Sequence, residues 1–275
     1  MKILAHTLIL HALLCVLLLP SLPIAAAELH PIVEVGSGYL LGAVKDGKFI
    51  KHEDAAKMLK GGEKYRVYGL TARLGEAKGG KPGSAGEACP DVSEVKLSPL
   101  PERGALAIAA AWNALPRVPK SLSTTEPVYV EAVRAFLKER GIKKPDVKIT
   151  QILRVDLDGD GEDEVLISGT NYFTKARIPM RSPAGSYSFV LLRQVVSGVV
   201  QTKLIEGEFH PKAYSGAEEN FDAPASYKVS AVLDVDGDGK MEVIVEGAYY
   251  EGGWTTVYRA SAKKVEALLR VECGL

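Results

Sequence analysis

Asp156-Leu157-Asp158-Gly159-Asp160-Gly161-Glu162-Asp163-Glu164 and Asp234-Val235-Asp236-Gly237-Asp238-Gly239-Lys240-Met241-Glu242 share one pattern, D-x-D-G-D-G-x-x-E. Carboxylates recur at positions 1, 3, 5 and 9 of both stretches, so like charges are forced into a short turn. At about 4 Å each such pair costs about 1 kcal/mol in water and about 4 kcal/mol at an intermediate effective dielectric. A bound hard cation offsets that repulsion. Glycine at the sixth position, Gly161 and Gly239, permits the positive φ that wraps the chain around an ion.

The flanking residues say what the loops connect. Val147, Ile149, Leu153 and Val155 lead into the first, and Val229, Ala231 and Leu233 into the second, apolar at alternate positions. Val165-Leu166-Ile167 and Val243-Ile244-Val245 follow directly. Period-two, β-branched runs are strand signals, so each loop joins two strands. An EF-hand places its bidentate Glu at the twelfth position and a helix behind it; here the twelfth positions are Ile167 and Val245, which excludes that arrangement. The pattern predicts one Ca²⁺ held by Asp156, Asp158, Asp160, Glu164 and the backbone carbonyl of Glu162. A second is held by Asp234, Asp236, Asp238, Glu242 and the carbonyl of Lys240. About one or two waters then complete the six to eight oxygens that Ca²⁺ takes.

On these residues the chain resembles the FG-GAP or VCBS type of calcium-binding repeat of secreted bacterial proteins, over roughly residues 147 to 205 and 228 to 271. The resemblance implies antiparallel, blade-like sheets built on calcium-binding strand-loop-strand hairpins. With one amphipathic helix added, the expected fold class is α+β, predominantly β.

That helix is the clearest in the chain, running from Pro127 to Arg140 with Thr125 or Glu126 near its cap and Gly141 as its stop. Val130, Val133, Phe136 and Leu137 form its apolar stripe. Residues 31 to 70 read as β-rich, with Asp46-Gly47 as a hairpin turn and a short helix from Glu53 to Leu59. Further strands are expected from Val92 to Leu97 and from Ala105 to Ala111. The Pro-rich stretch Leu115 to Ser123 reads as a linker, and His210 to Ala225 as a long surface loop. The organisation is therefore a signal segment (1–27), an N-terminal β-rich region (28–120), and a helix followed by two calcium-binding units (121–275).

Met1-Lys2, the apolar run Leu8 to Leu19 and the small residues Ala25-Ala26-Ala27 read as a cleaved secretory signal, placing the protein in the periplasm or outside the cell. The rest of the chain has no run long enough to span a membrane. Two cysteines then remain, Cys89 and Cys273. In an oxidising compartment they are expected to pair, although two free thiols are also compatible with the sequence. By the chain-entropy model the closed loop allows about 4 to 5 kcal/mol.

Charge and motifs narrow the function. Lys and Arg number 34, as do Asp and Glu, giving a formal net charge of zero; with no basic patch, nucleic acid is not expected as a partner. No nucleophile elbow, H-E-x-x-H zinc motif or phosphate loop occurs. His30, His52 and His210 fit no motif and read as surface or turn residues. Carboxylates saturated by Ca²⁺ leave none with an adjusted pKa for acid or base work. The expectation is a non-catalytic binding or surface-interaction module with two structural calcium sites and a protein or carbohydrate ligand. The alternative is a hydrolase or enzyme accessory domain. Tyr249-Tyr250-Glu251-Gly252-Gly253-Trp254 offers either a sugar-stacking platform or a tight turn whose aromatics pack inward.

Overall fold

Both acidic loops sit where alternating hydrophobicity places them, each at the end of an antiparallel hairpin. The computed structural model describes residues 28–172, 182–213 and 224–274; the expected signal segment lies outside them, as does most of the 210–225 loop. In chain order the elements are β1 (Leu29–Glu34), β2 (Leu40–Lys45), β3 (Lys48–Lys51), α1 (His52–Met58), β4 (Lys64–Tyr68), β5 (Arg73–Gly79), β6 (Gly83–Ser84), β7 (Ser93–Glu94), β8 (Leu97–Ser98), β9 (Leu106–Ile108) and β10 (Lys120–Ser121). They continue with α2 (Pro127–Glu139), β11 (Ile149–Val155), β12 (Glu164–Thr170), β13 (Ser186–Val196), β14 (Val199–His210), β15 (Ser226–Leu233), β16 (Glu242–Tyr249), β17 (Gly252–Ala260) and β18 (Val265–Gly274). The fold is mostly β, an α+β arrangement of antiparallel sheets.

Three sheets carry the structure: seven strands ordered β3-β2-β1-β9-β4-β5-β8, five ordered β10-β11-β12-β13-β14, and four ordered β15-β16-β17-β18. The first acidic loop joins β11 to β12, paired from Val155↔Glu164 to Ile149↔Gly169. The second joins β15 to β16, paired from Leu233↔Glu242 to Ser226↔Ala248.

Period two sorts the five-stranded sheet into two apolar faces. Ile152, Ile167, Phe189 and Leu191 face α2 and meet its buried Val133, Phe136 and Leu137. Leu153, Leu166, Val190 and Leu192 join the cluster that includes Val229, Val243 and Val245 of the four-stranded sheet. Helix α2 forms because Pro127 opens its first turn and the apolar residues recur at i, i+3 and i+4. It ends at Gly141, whose φ of 88° is the left-handed geometry that glycine adopts without strain. Its N-cap is Glu126, which makes no side-chain cap bond.

Strand β15 is an edge, and an unpaired edge N–H is costly to bury. Two fully buried serines of the five-stranded sheet meet it. Ser188 Oγ accepts from Tyr227 N at 3.0 Å, and Ser168 Oγ from Val229 N at 3.4 Å. On the opposite side of the four-stranded sheet, Leu269 lies against Gly42 of β2, so one apolar cluster runs through all three sheets.

The chain departs from the sequence reading in several places. Residues 92–97 hold only the short β7 and the start of β8, and the 105–111 strand shrinks to Leu106–Ile108. The stretch from Leu115 to Ser123 is no free linker: Lys120 and Ser121 pair with Arg154 and Leu153 of β11. Its turn residues therefore make contacts that local composition does not register. His30, His52 and His210 are half-buried; His30 Nδ1 lies 3.0 Å from the Ala109 carbonyl oxygen and its ring meets Trp112 edge-on at 4.7 Å.

Cys89 and Cys273 form a disulfide with a Cα–Cα distance of 5.6 Å. It ties the last strand, β18, to the segment between β6 and β7. Among the described residues no helix is long and apolar enough to cross a membrane.

Candidate metal centre

Each acidic loop is folded by its own side chains. In the first, Asp156 Oδ1 accepts from Gly159 N at 2.6 Å and Oδ2 from Gly161 N at 3.1 Å; Asp158 Oδ1 accepts from Asp160 N at 3.2 Å, and Asp160 Oδ1 from Glu162 N at 2.8 Å. Glu164 Oε2 closes the loop by accepting from Leu157 N at 2.8 Å. The second repeats this bond for bond: Gly237 N and Gly239 N to Asp234, Asp238 N to Asp236, Lys240 N to Asp238, and Val235 N to Glu242. Short carboxylates that bond backbone two or three residues ahead favour such turns. The φ values of Gly161 and Gly239, 93° and 86°, allow the wrap.

Within each loop three carboxylates also converge. In the first loop Asp156, Asp158 and Glu164 each offer an oxygen within 4.8 Å of the others, and in the second Asp234, Asp236 and Asp238 do so. All-oxygen donor sets of this kind suit a hard cation such as Ca²⁺. Asp160 and Glu242, expected as ligands, stand outside these two convergent sets. Glu162 and Lys240, expected to lend carbonyls, are exposed at the far end of each turn.

Burial sharpens the electrostatics. Burial, opposed by the bond from Leu157 N and reinforced by Asp158, Asp160 and Asp156, pushes the Glu164 carboxyl up from its ordinary value. Asp234 is raised chiefly by burial as well. Glu242, fully buried, is pushed up to about 7 by burial first and then by Asp236, against the bonds from Val235 N and Arg259. The three acids are costly to ionise where they stand, and a neighbouring cation removes that cost.

Distant residues complete the centre. The second position of each loop, Leu157 and Val235, is buried in the shared apolar cluster and anchors the loop from below. Met241 N donates to the Leu157 carbonyl at 2.7 Å, so the loops touch. Arg117 clamps the pair: Nε donates to the Asp156 carbonyl at 2.6 Å, while one Nη donates to the Gly239 carbonyl at 2.7 Å and the Leu157 carbonyl at 3.2 Å. Trp112 covers Gly237 and donates Nε1–H to the Asp234 carbonyl at 2.9 Å. Arg259 reaches Asp236 at 2.6 Å and Glu242 at 2.9 Å. Of these partners, only the apolar second position repeats between the loops and is legible as a pattern.

Away from the loops, a cleft of about 960 Å³ opens between the three sheets, lined among others by Glu34, Tyr39, Thr150, Glu246, Glu251 and Thr255. Its acids are largely engaged: Glu34 accepts from Gly36 N and Ser37 N, both at 2.7 Å, and Glu246 pairs with Lys228 at 2.8 Å. The Trp254 indole lies over Gly247, receives the Arg270 guanidinium 4.7 Å from its ring centroid and donates to Glu206 at 2.9 Å. The Trp254 ring is thus packed against the protein's own groups at the edge of the cleft, while Tyr250 stays exposed. Comparison of the chain with family models, curated proteins and solved structures finds no match.

Proposed function

We propose that this is a non-catalytic, calcium-stabilised binding module of the FG-GAP or VCBS type, working in the periplasm or outside the cell. The observation that carries the reading is the bond-for-bond repetition of the two loops with their converging carboxylates. Two hairpins far apart in sequence share one loop bonding pattern and each gathers three carboxylates, which costs repulsion without an ion and is useful with one. The side-by-side placement supports a structural role: Ca²⁺ would stiffen two hairpins of different sheets at once, linked through Met241 and Arg117. The disulfide fits an oxidising compartment. Ligand binding, to a protein or a carbohydrate, is assigned to the cleft between the sheets, whose size suits a small polar molecule or a peptide segment.

A hydrolase or accessory domain is the second reading, favoured by the carboxylates of that same cleft. Against it, the partners of Glu34 and Glu246 occupy them in roles that do not need catalysis.

Calorimetric titration of chelator-stripped protein with Ca²⁺ tests the proposal. Binding is expected, with Asp158→Ala and Asp236→Ala each abolishing a different component of it. Absence of any Ca²⁺ binding up to about 10 mM, beyond the weak range of extracellular sites, removes the calcium reading.

A further inference from the structure

The two loops match in their internal hydrogen bonds and differ in their neighbours: Trp112 covers Gly237 where Arg117 lies over Gly159, and the residue beside the ninth-position acid differs in charge. On β17, Arg259 stands beside Glu242, one register step beyond the Val243↔Tyr258 pair. Its guanidinium contacts Glu242 Oε1 at 2.9 Å, Asp236 Oδ2 at 2.6 Å and Asp238 Oδ2 at 3.9 Å. The corresponding step beyond Val165↔Arg193 on β13 places Gln194 beside Glu164. Gln194 is 7 % exposed, and its Nε2 has no hydrogen-bond partner. A cation therefore faces the second loop, and a neutral amide occupies the same register position at the first.

The convergent sets differ too. The ninth-position acid Glu164 belongs to that of its loop, whereas Glu242 lies outside its own and accepts from Arg259, which also binds Asp236, a member of the second set. The other nearby charges do not even the balance: the seventh position is Lys240 in the second loop and Glu162 in the first, which adds to the same difference. Arg154 binds Asp163, which is no member of either set, and Arg117 donates to carbonyl oxygens of both loops.

We propose that Arg259 is a built-in counter-cation that weakens the Asp234–Glu242 loop for Ca²⁺, leaving Asp156–Glu164 as the tighter site. A divalent ion entering the second loop must compete with a guanidinium for Glu242 and Asp236 and is repelled by its charge, and ligand charge count tunes Ca²⁺ affinity over decades. The inference rests on the calcium reading above and adds a ranking and its determinant. It gives the protein one site filled at low Ca²⁺ and another that responds only at higher concentration.

Calorimetric titration of the stripped full chain with CaCl₂ reads the ranking. In the unmodified protein the two dissociation constants are expected to differ by about tenfold or more, and Asp158→Ala should abolish the tighter event. Arg259→Gln should bring the second loop to within about threefold of the first, leaving the first unchanged. Because Arg259→Gln leaves Glu242 buried without its partner, Gln194→Arg serves as an independent arm and should weaken the tighter event about tenfold. Equal affinities in the unmodified protein, or a tight event that survives Asp158→Ala, overturn the ranking while leaving the calcium reading standing. No binding in any variant overturns both.

Discussion

Met241 donates its backbone N–H to the carbonyl of Leu157 at 2.7 Å, so the buried base of one acidic loop is hydrogen-bonded directly to the buried base of the other. The hairpins that carry these loops belong to different sheets. Arg117 adds a second link, so the two loops are fastened side by side.

Calcium should be a folding ligand for that pair of loops. At 100 times its dissociation constant each ion adds about 2.7 kcal/mol, which for a domain of this size shifts the melting temperature by roughly 5 to 10 °C. Mg²⁺ demands tighter octahedral geometry and sheds water reluctantly, so its effect should be smaller. Thermal melts in chelator, Mg²⁺ and Ca²⁺ check this, and identical curves in all three would count against structural calcium.

Arg117→Ala should cost about 2 to 3 kcal/mol, since it strips charge-assisted bonds from the Asp156, Leu157 and Gly239 carbonyls. Arg117→Lys should recover only part of that loss, because an ammonium cannot span three acceptors in the guanidinium's planar fork. Urea unfolding midpoints of the three proteins measure it. An Arg117→Ala variant as stable as the parent would show that the clamp contributes nothing.

Reduction of the Cys89–Cys273 disulfide, whose partners are 184 residues apart, should destabilise the protein by up to about 5 kcal/mol on the chain-entropy model. Thiol labelling of the native, non-reduced protein should find neither cysteine reactive, and Cys89→Ser should reproduce the loss seen on reduction. Full labelling without reductant would contradict the pairing.

Gly247→Ala tests the sheet interior. A Cβ at this position would overlap the Trp254 indole, which is held by Glu206 and Arg270. Overpacking of that kind costs about 1 to 3 kcal/mol. The displaced ring should also shift its fluorescence, whereas Gly83→Ala, with open space around it, should leave both observables within error.

Much of the centre was legible because its determinants are local. Asp156 bonds to residues three and five ahead, and Asp234 does the same, so the nine-residue pattern carries its own fold. Alternating apolar residues placed strands on both sides, and Pro127, the apolar stripe of α2 and Gly141 marked the helix, since caps and periodicity act within a few residues. The weak strands around β7 to β9 were overcalled because short β-prone runs have no local signal for where pairing stops.

Arg259, Arg117, Trp112 and Met241 lay beyond the reach of such patterns. Their partners sit 17 residues away for Arg259 and Glu242, and 122 for both Arg117 with Gly239 and Trp112 with Asp234. Nothing in a stretch of nine residues encodes a contact across 122. The acid spacing alone determined that each loop turns and gathers carboxylates, because short side chains bond the backbone next to them. Which cation neighbours which loop, and that the loops touch at all, was decided by the stacking of three sheets through one shared apolar core.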